Sequence, residues 1–294
     1  MSGANASAIA RSHQEMKNKV VVITGATSGI GDVAAQNLAR MGGRIVMVAR
    51  NSQRAELTLG RLRQINPGVD HRVHFADLSK LADMRRVAAE IATAEPKIDV
   101  LINNAGAMFT RRQVSADGFE MTFATNHLSY FVVTDALLKP LQAAEHARII
   151  NTASEAHRGA PIDFDDLQFS KDYSGFTAYR RSKLCNILFT KELAGRLKGT
   201  GITANSLHPG FVASRFADNN RGLLAYLFRF AKLFAISPEK GAETIVFLAS
   251  SNEVANTSGL YFQKCRPATP SKEAQDQDAA RLLWIETEKL QQTR

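Results

Sequence analysis

Tyr179 and Lys183 stand one helical turn apart in the run Tyr179-Arg180-Arg181-Ser182-Lys183. On a helix that spacing puts both side chains on one face, so a phenol and an amine can reach the same ligand. A free tyrosine has a pKa of about 10, and ionising it at neutral pH costs about 4 kcal/mol. A nearby ammonium lowers that cost. Such a pair suits proton transfer to and from an oxygen beside it. The spacing alone is common by chance, and on an arbitrary helix it describes a packed tyrosine and a solvated lysine. Other polar residues narrow the reading. Ser154 follows an apolar run that reads as a strand, where the active sites of parallel sheets form, and its hydroxyl could orient a substrate oxygen. Asn103-Asn104-Ala105-Gly106 closes the strand before it. Asn126 falls inside a helical pattern, where asparagine is a poor helix former, so a polar task or a kink accounts for it.

A second chemical feature precedes these. The apolar run Val20–Thr24 leads into Thr24-Gly25-Ala26-Thr27-Ser28-Gly29-Ile30-Gly31. Gly25 allows a sharp strand-to-helix turn, while Gly29 and Gly31 let backbone and helix approach a pyrophosphate. The helix start offers amides and a positive dipole end to that anion. A glycine-rich turn is a weak signal by itself, and its place between strand and helix strengthens it. At the end of the next strand, an NAD site would carry Asp or Glu for the ribose 2′-hydroxyl. This chain has Ala49-Arg50-Asn51, and a guanidinium there suits a 2′-phosphate. NADP(H) is therefore the expected cofactor.

These residues must be positioned by an alternation of short apolar runs and longer amphipathic stretches. Strands are expected at 20–24, 44–49, 71–76, 98–103, 147–152, 201–207 and 259–262. Helices are expected at 29–41, from Asn51 to Ile65, and at 79–94, 117–138, 173–197, 237–250 and 274–290. That order implies βαβ units: an α/β Rossmann fold, one domain over 19–294, with a doubly wound parallel sheet of seven strands and helices on both faces. Residues 1–18 read as an N-terminal extension.

The composition, 45% hydrophobic and 22% charged, fits a soluble globular chain. The formal net charge of +9 is spread along helices with no nucleic-acid motif, so nucleic-acid binding is not expected. No apolar run is long enough for a transmembrane helix or a secretory signal. Cys185 and Cys265 form no framework and are expected to be reduced in a cytoplasmic protein. His127, His157 and His208 show no metal-ligand spacing, no metal is expected, and the three read as structural or pocket-lining. Residues 221–236 (RGLLAYLFRFAKLFAI), within a candidate substrate region at 211–236, allow three readings: a lid over a hydrophobic substrate, a core helix, or an interfacial helix in peripheral contact with a membrane.

Together Thr24-Gly25-x-x-x-Gly29-Ile30-Gly31, Asn103-Asn104-Ala105-Gly106, Asn126, Ser154, Tyr179-x-x-x-Lys183 and Pro209-Gly210 resemble the short-chain dehydrogenase/reductase family, from about Lys19 to Phe262. The resemblance implies that Tyr179 is the acid in reduction and the base in oxidation. It implies that Lys183 holds the nicotinamide ribose and lowers the phenol's pKa, that Ser154 positions the carbonyl, and that Asn126 anchors a water in the proton relay. It places Asp77 on the adenine amino group beside Leu78, Asn103 along the cofactor cleft, and Ala105, Gly106, Thr152, Pro209, Gly210 and Val212 near the cofactor, with Thr27, Ser28 and Ile30 in the glycine-rich turn. Leu207-His208-Pro209-Gly210, residues 162–167 (IDFDDL), Ser182-Lys183-Leu184-Cys185-Asn186 and residues 259–262 (GLYF) are similar to the retinol dehydrogenase branch, which includes WW-domain oxidoreductases and protochlorophyllide reductases. That branch implies a hydrophobic carbonyl or alcohol as substrate. Reduction of a conjugated C=C bond is the alternative, and a catalytically silent cofactor sensor a third reading. The family also implies a homodimer or homotetramer paired through the helices at 117–138 and 173–197.

Overall fold

Val20–Thr24 forms strand β1 in the interior of the sheet, between β2 (Arg44–Ala49) and β4 (Val100–Asn103), both parallel to it. The structure is a computed structural model that describes residues 16–210 and 237–292. The other strands are β3 (Arg72–Phe75), β5 (Arg148–Thr152), β6 (Thr203–His208), β7 (Tyr261–Gln263) and β8 (Arg266–Pro267), in the order β3-β2-β1-β4-β5-β6-β7-β8. The chain winds outward from β1 to β3, then crosses back to build β4 onward, so its direction reverses between β1 and β4. That switch point opens a crevice at the carboxyl ends of the strands.

Alternation along the strands assigns the two faces. Val21, Ile23, Ile45, Met47, Val100, Ile102 and Ile150 pack with α1 (Gly29–Arg40), α2 (Ser52–Ile65) and α7 (Pro238–Ser250). Val22, Val46, Val48, Leu101 and Ile149 pack on the opposite face with α3 (Leu81–Ala94), the helical stretch 121–136, α6 (Gly175–Arg196) and α9 (Gln277–Gln292). Both faces are covered, which explains strand sequences that are nearly continuous in Val and Ile.

The helix expected at 117–138 is instead composite. Here α4 consists of a helical turn Met121–Phe123, a π-helical turn Ala124–Leu128 and an α-helical run Ser129–Ala136, with the short α5 (Leu138–Gln142) after it. The buried Glu120 carboxylate starts it by accepting from the amides of Thr122 (2.9 Å) and Phe123 (2.7 Å). The terminal helix also breaks, into α8 (Lys272–Gln275) and α9. Asp276 Oδ1 accepts from the amides of Asp278 and Ala279 and so caps the second piece. The sheet has eight strands, one more than expected. β8 runs antiparallel to β7 across a turn in which Lys264 and Cys265 hold positive φ, 51° and 59°. Neither residue carries the Gly or Asn signature of such a turn. Cys185 and Cys265 are both free.

α9 lies over α4 and α6. The Trp284 ring stacks on Phe189 with centroids 5.8 Å apart and meets Phe131 edge-on at 4.7 Å, while the Arg196 guanidinium sits 4.2 Å above the same indole.

Candidate active site

α6 begins where Ser174 caps it by accepting from the Thr177 amide. Gly175 is needed there, since a Cβ would sit 2.2 Å from the Phe109 carbonyl oxygen. One turn on, Tyr179 and Lys183 face the carboxyl end of β5. Lys183 is only 3% exposed, and its Nζ donates to the Thr152 carbonyl at 3.0 Å and lies 5.7 Å from the Tyr179 ring centroid. Burial pushes the amine down to about 7. Burial also pushes the Tyr179 phenol up to about 12, against the lowering by its hydrogen bond with Ser154. In both groups burial is the largest influence, and it favours the neutral form of each.

Ser154 lies two residues past β5 in extended backbone, and its Oγ accepts from the Ala156 amide at 3.2 Å. Asn126 sits in the π-helical turn, a local widening that recurs at functional sites. Its Oδ1 accepts from the Ala107 amide (2.8 Å), and its Nδ2 donates to the Ala107 carbonyl and to Ser182 Oγ, each at 2.9 Å. Ser182 Oγ in turn donates to the Tyr179 carbonyl at 2.7 Å. Asn126 thus ties the loop after β4 to the helix that carries Tyr179. Gly106 completes the group: a Cβ there would lie 3.4 Å from Asn126 Oδ1 and 3.5 Å from Lys183 Nζ.

At the switch point, Gly25 (φ 70°) and Gly29 (φ 58°) hold the left-handed backbone that the sharp turn needs. Gly31 lets the start of α1 pack closely on the turn. Its missing Cβ makes room for the Gly25 carbonyl, 2.4 Å from where the Cβ would stand, and so it serves the turn's own packing. Thr24 Oγ1 accepts from the amides of Asn104 (2.9 Å) and Ala105 (3.0 Å), and Asn104 Nδ2 returns to the carbonyls of Thr24 and Gly25. Thr27, Gly29 and Ile30 are partly open, and Ser28 is exposed and makes no side-chain cap to α1. This uncapped helix start fits the phosphates of a dinucleotide. Arg50 is exposed at the end of β2, while Asn51 is occupied as the cap of α2, accepting from the Arg54 amide at 2.9 Å. Asp77 Oδ1 takes the amide and hydroxyl of Ser79, with Leu78 buried beside it. Pro209 and Gly210 follow β6 at the same sheet edge, with Gly210 at φ 94°. Val212 and the segment 221–236 lie outside the described residues.

Asn103 turns its side chain inward. It is fully buried and donates to Thr134 Oγ1 and Asn151 Oδ1, each at 2.9 Å, so Asn104 is the one that meets the glycine-rich turn. Parity held the signal, because Asn103 shares a face with Leu101. Ser182 and Tyr130 were also missed. Tyr130 is buried one turn after Asn126, with its ring centroid 5.9 Å from Lys183 Nζ.

A model of the short chain dehydrogenase family matches residues 19–222. Human retinol dehydrogenase 13 is 41% identical over 281 residues, covering 92% of this chain and 84% of its own length. An uncharacterized Mycobacterium paratuberculosis protein of known structure is 31% identical, with a TM-score of 0.77 and 95% of each chain covered. RhlG of Pseudomonas aeruginosa, solved with NADP in its active site, is 25% identical, with a TM-score of 0.68, covering 92% of this chain and 99% of its own.

Proposed function

The chain belongs to the short-chain dehydrogenase family, and on that premise we propose that it is an NADP(H)-dependent oxidoreductase acting on a hydrophobic carbonyl or alcohol, either retinal-like or a long-chain aldehyde or ketone. The observation that carries this reading is the meeting of the Tyr179 phenol, the Ser154 hydroxyl and the Lys183 amine at the sheet edge that also holds the glycine-rich turn.

A bound nicotinamide nucleotide supplies or accepts the hydride. In reduction Tyr179 gives its proton to the substrate oxygen while Ser154 Oγ holds that oxygen; in oxidation Tyr179 takes the proton back. The burial that raises the phenol keeps it protonated and ready to donate at neutral pH. The burial that brings Lys183 to about 7 leaves it able to gain or lose a proton there, and its charged form favours the phenolate. Asn126 fixes the spacing between these groups through Ala107 and Ser182, and both N–H bonds of its side chain are spent on that task.

Arg50 supports NADP(H) over NAD, because it stands open where an NAD site would present an acid. The retinol dehydrogenase names of the relatives support a long apolar substrate.

NADPH oxidation measured over retinal, medium-chain aldehydes, steroids and quinones tests the reading. Tyr179→Phe is expected to lower turnover of the preferred substrate by about 10²-fold or more. Turnover by that variant equal to the parent's would sink it.

A further inference from the structure

The turn that presents Ser154 is fastened to a segment more than a hundred residues away. His157 lies in the turn after Ser154 and is fully buried. Its Nδ1 is 2.6 Å from the Ser154 carbonyl oxygen, and its Nε2 is 3.0 Å from the Ser271 amide nitrogen. A carbonyl can only accept and an amide N–H can only donate, so these partners allow one tautomer: neutral imidazole with its proton on Nδ1. Other links run in parallel. Glu155 Oε1 accepts from the Tyr261 hydroxyl at 2.7 Å, Glu155 Oε2 accepts from Arg158 Nε at 2.6 Å, and Arg158 donates to the Thr269 carbonyl at 2.8 Å. The Tyr261 ring meets the imidazole edge-on at 5.2 Å.

We infer that His157 is a positioning residue for the reaction: as the Nδ1–H tautomer it holds the Ser154 carbonyl, and through Ser271 it ties the placement of the Ser154 hydroxyl beside Tyr179 to the 261–271 segment. This rests on the function proposed above. Ser154 Oγ sits on a short turn whose carbonyl His157 holds twice, by its own amide at 3.1 Å and by its ring. Without the ring bond, the hydroxyl keeps its chemistry and loses its fixed direction toward the phenol.

Two substitutions separate the ends of the clamp. His157→Asn keeps a donor near the Nδ1 position and gives up the Ser271 contact. His157→Gln keeps an acceptor near the Nε2 position and gives up the donation to Ser154. Turnover is read per NADPH-binding site, so that loss of folded protein does not count. His157→Gln is expected to lower kcat about tenfold with KM for NADPH unchanged, and His157→Asn to lower it only about threefold. Equal losses in the two variants, or full kcat in His157→Gln, would overturn the proposal. Histidine ¹⁵N spectra of the unmodified protein provide a check that needs no variant: the Nδ1–H tautomer at His157 is expected, and the Nε2–H tautomer overturns the clamp. If the parent turns over no carbonyl, the proposed function has failed. If the parent turns over, Tyr179→Phe does not, and His157→Gln is normal, only the clamp has failed.

Discussion

The glycine-rich turn and the serine–tyrosine–lysine cluster open on the same edge of the sheet but are built from different materials. The turn is almost entirely backbone. Gly25 and Gly31 are there for what they lack, and Thr24 and Asn104 bind main-chain groups. The cluster is made of side chains whose ionisation the interior has moved, with the phenol up to about 12 and the amine down to about 7. The turn's geometry is paired and close-packed, so altering it disturbs the fold. The cluster holds a buried amine that water would stabilise better, so the fold gives up stability to keep it. Substitution of the buried amine at neutral pH and substitution within the turn should therefore move stability in opposite directions.

The largest expected difference is at Lys183. Its folded pKa of about 7 lies below the ordinary lysine value of about 10.4, so between those pH values the unfolded chain binds more protons. Stability from this group is complete above about pH 10 and is lost as pH falls toward 7. Denaturant unfolding of the parent and of Lys183→Met should show the parent gaining on the variant by a few kcal/mol between pH 7 and pH 10, and the inactive variant should be the more stable at pH 7. Parallel curves would contradict the buried-charge account. The next effect is at the turn. Gly31→Ala drives a methyl into the Gly25 carbonyl, where no flexible side chain can give way, and should destabilise by about 1–3 kcal/mol with NADPH affinity falling in step. Loss of turnover with intact affinity and melting temperature would erase the contrast between the two regions. The smallest effect is at Ser182, which belongs to the cluster but acts on backbone. Ser182→Ala should cost about 1 kcal/mol of stability and leave the pH dependence of turnover in place. A shifted profile would make Ser182 part of the proton chemistry.

Much of the fold was legible because its signals are local. Val20–Thr24, Arg44–Ala49 and the glycine-rich turn could be read from β-branched runs and glycine placement, and all occur where expected. The break in α4 was only hinted at by Asn126, whose partners in the π-helical turn, Ala107 and Ser182, come from other segments. β8 left no trace because Lys264 and Cys265 adopt positive φ without the residues that favour it. Asn103 and Asn104 were adjacent and alike, and only the direction of each side chain distinguished interior from cleft.

The sequence by itself determined which groups could do the chemistry, and that a phenol and an amine would share a helix face, because helical periodicity is a property of neighbours along the chain. Tertiary structure decided their protonation and their company. Desolvation depends on what surrounds a group, and Thr152, Ser154, Asn126 and Gly106 reach Tyr179 and Lys183 from separate strands and turns. The same holds for His157, whose tautomer is set by an amide at Ser271 that no local pattern could have connected to it.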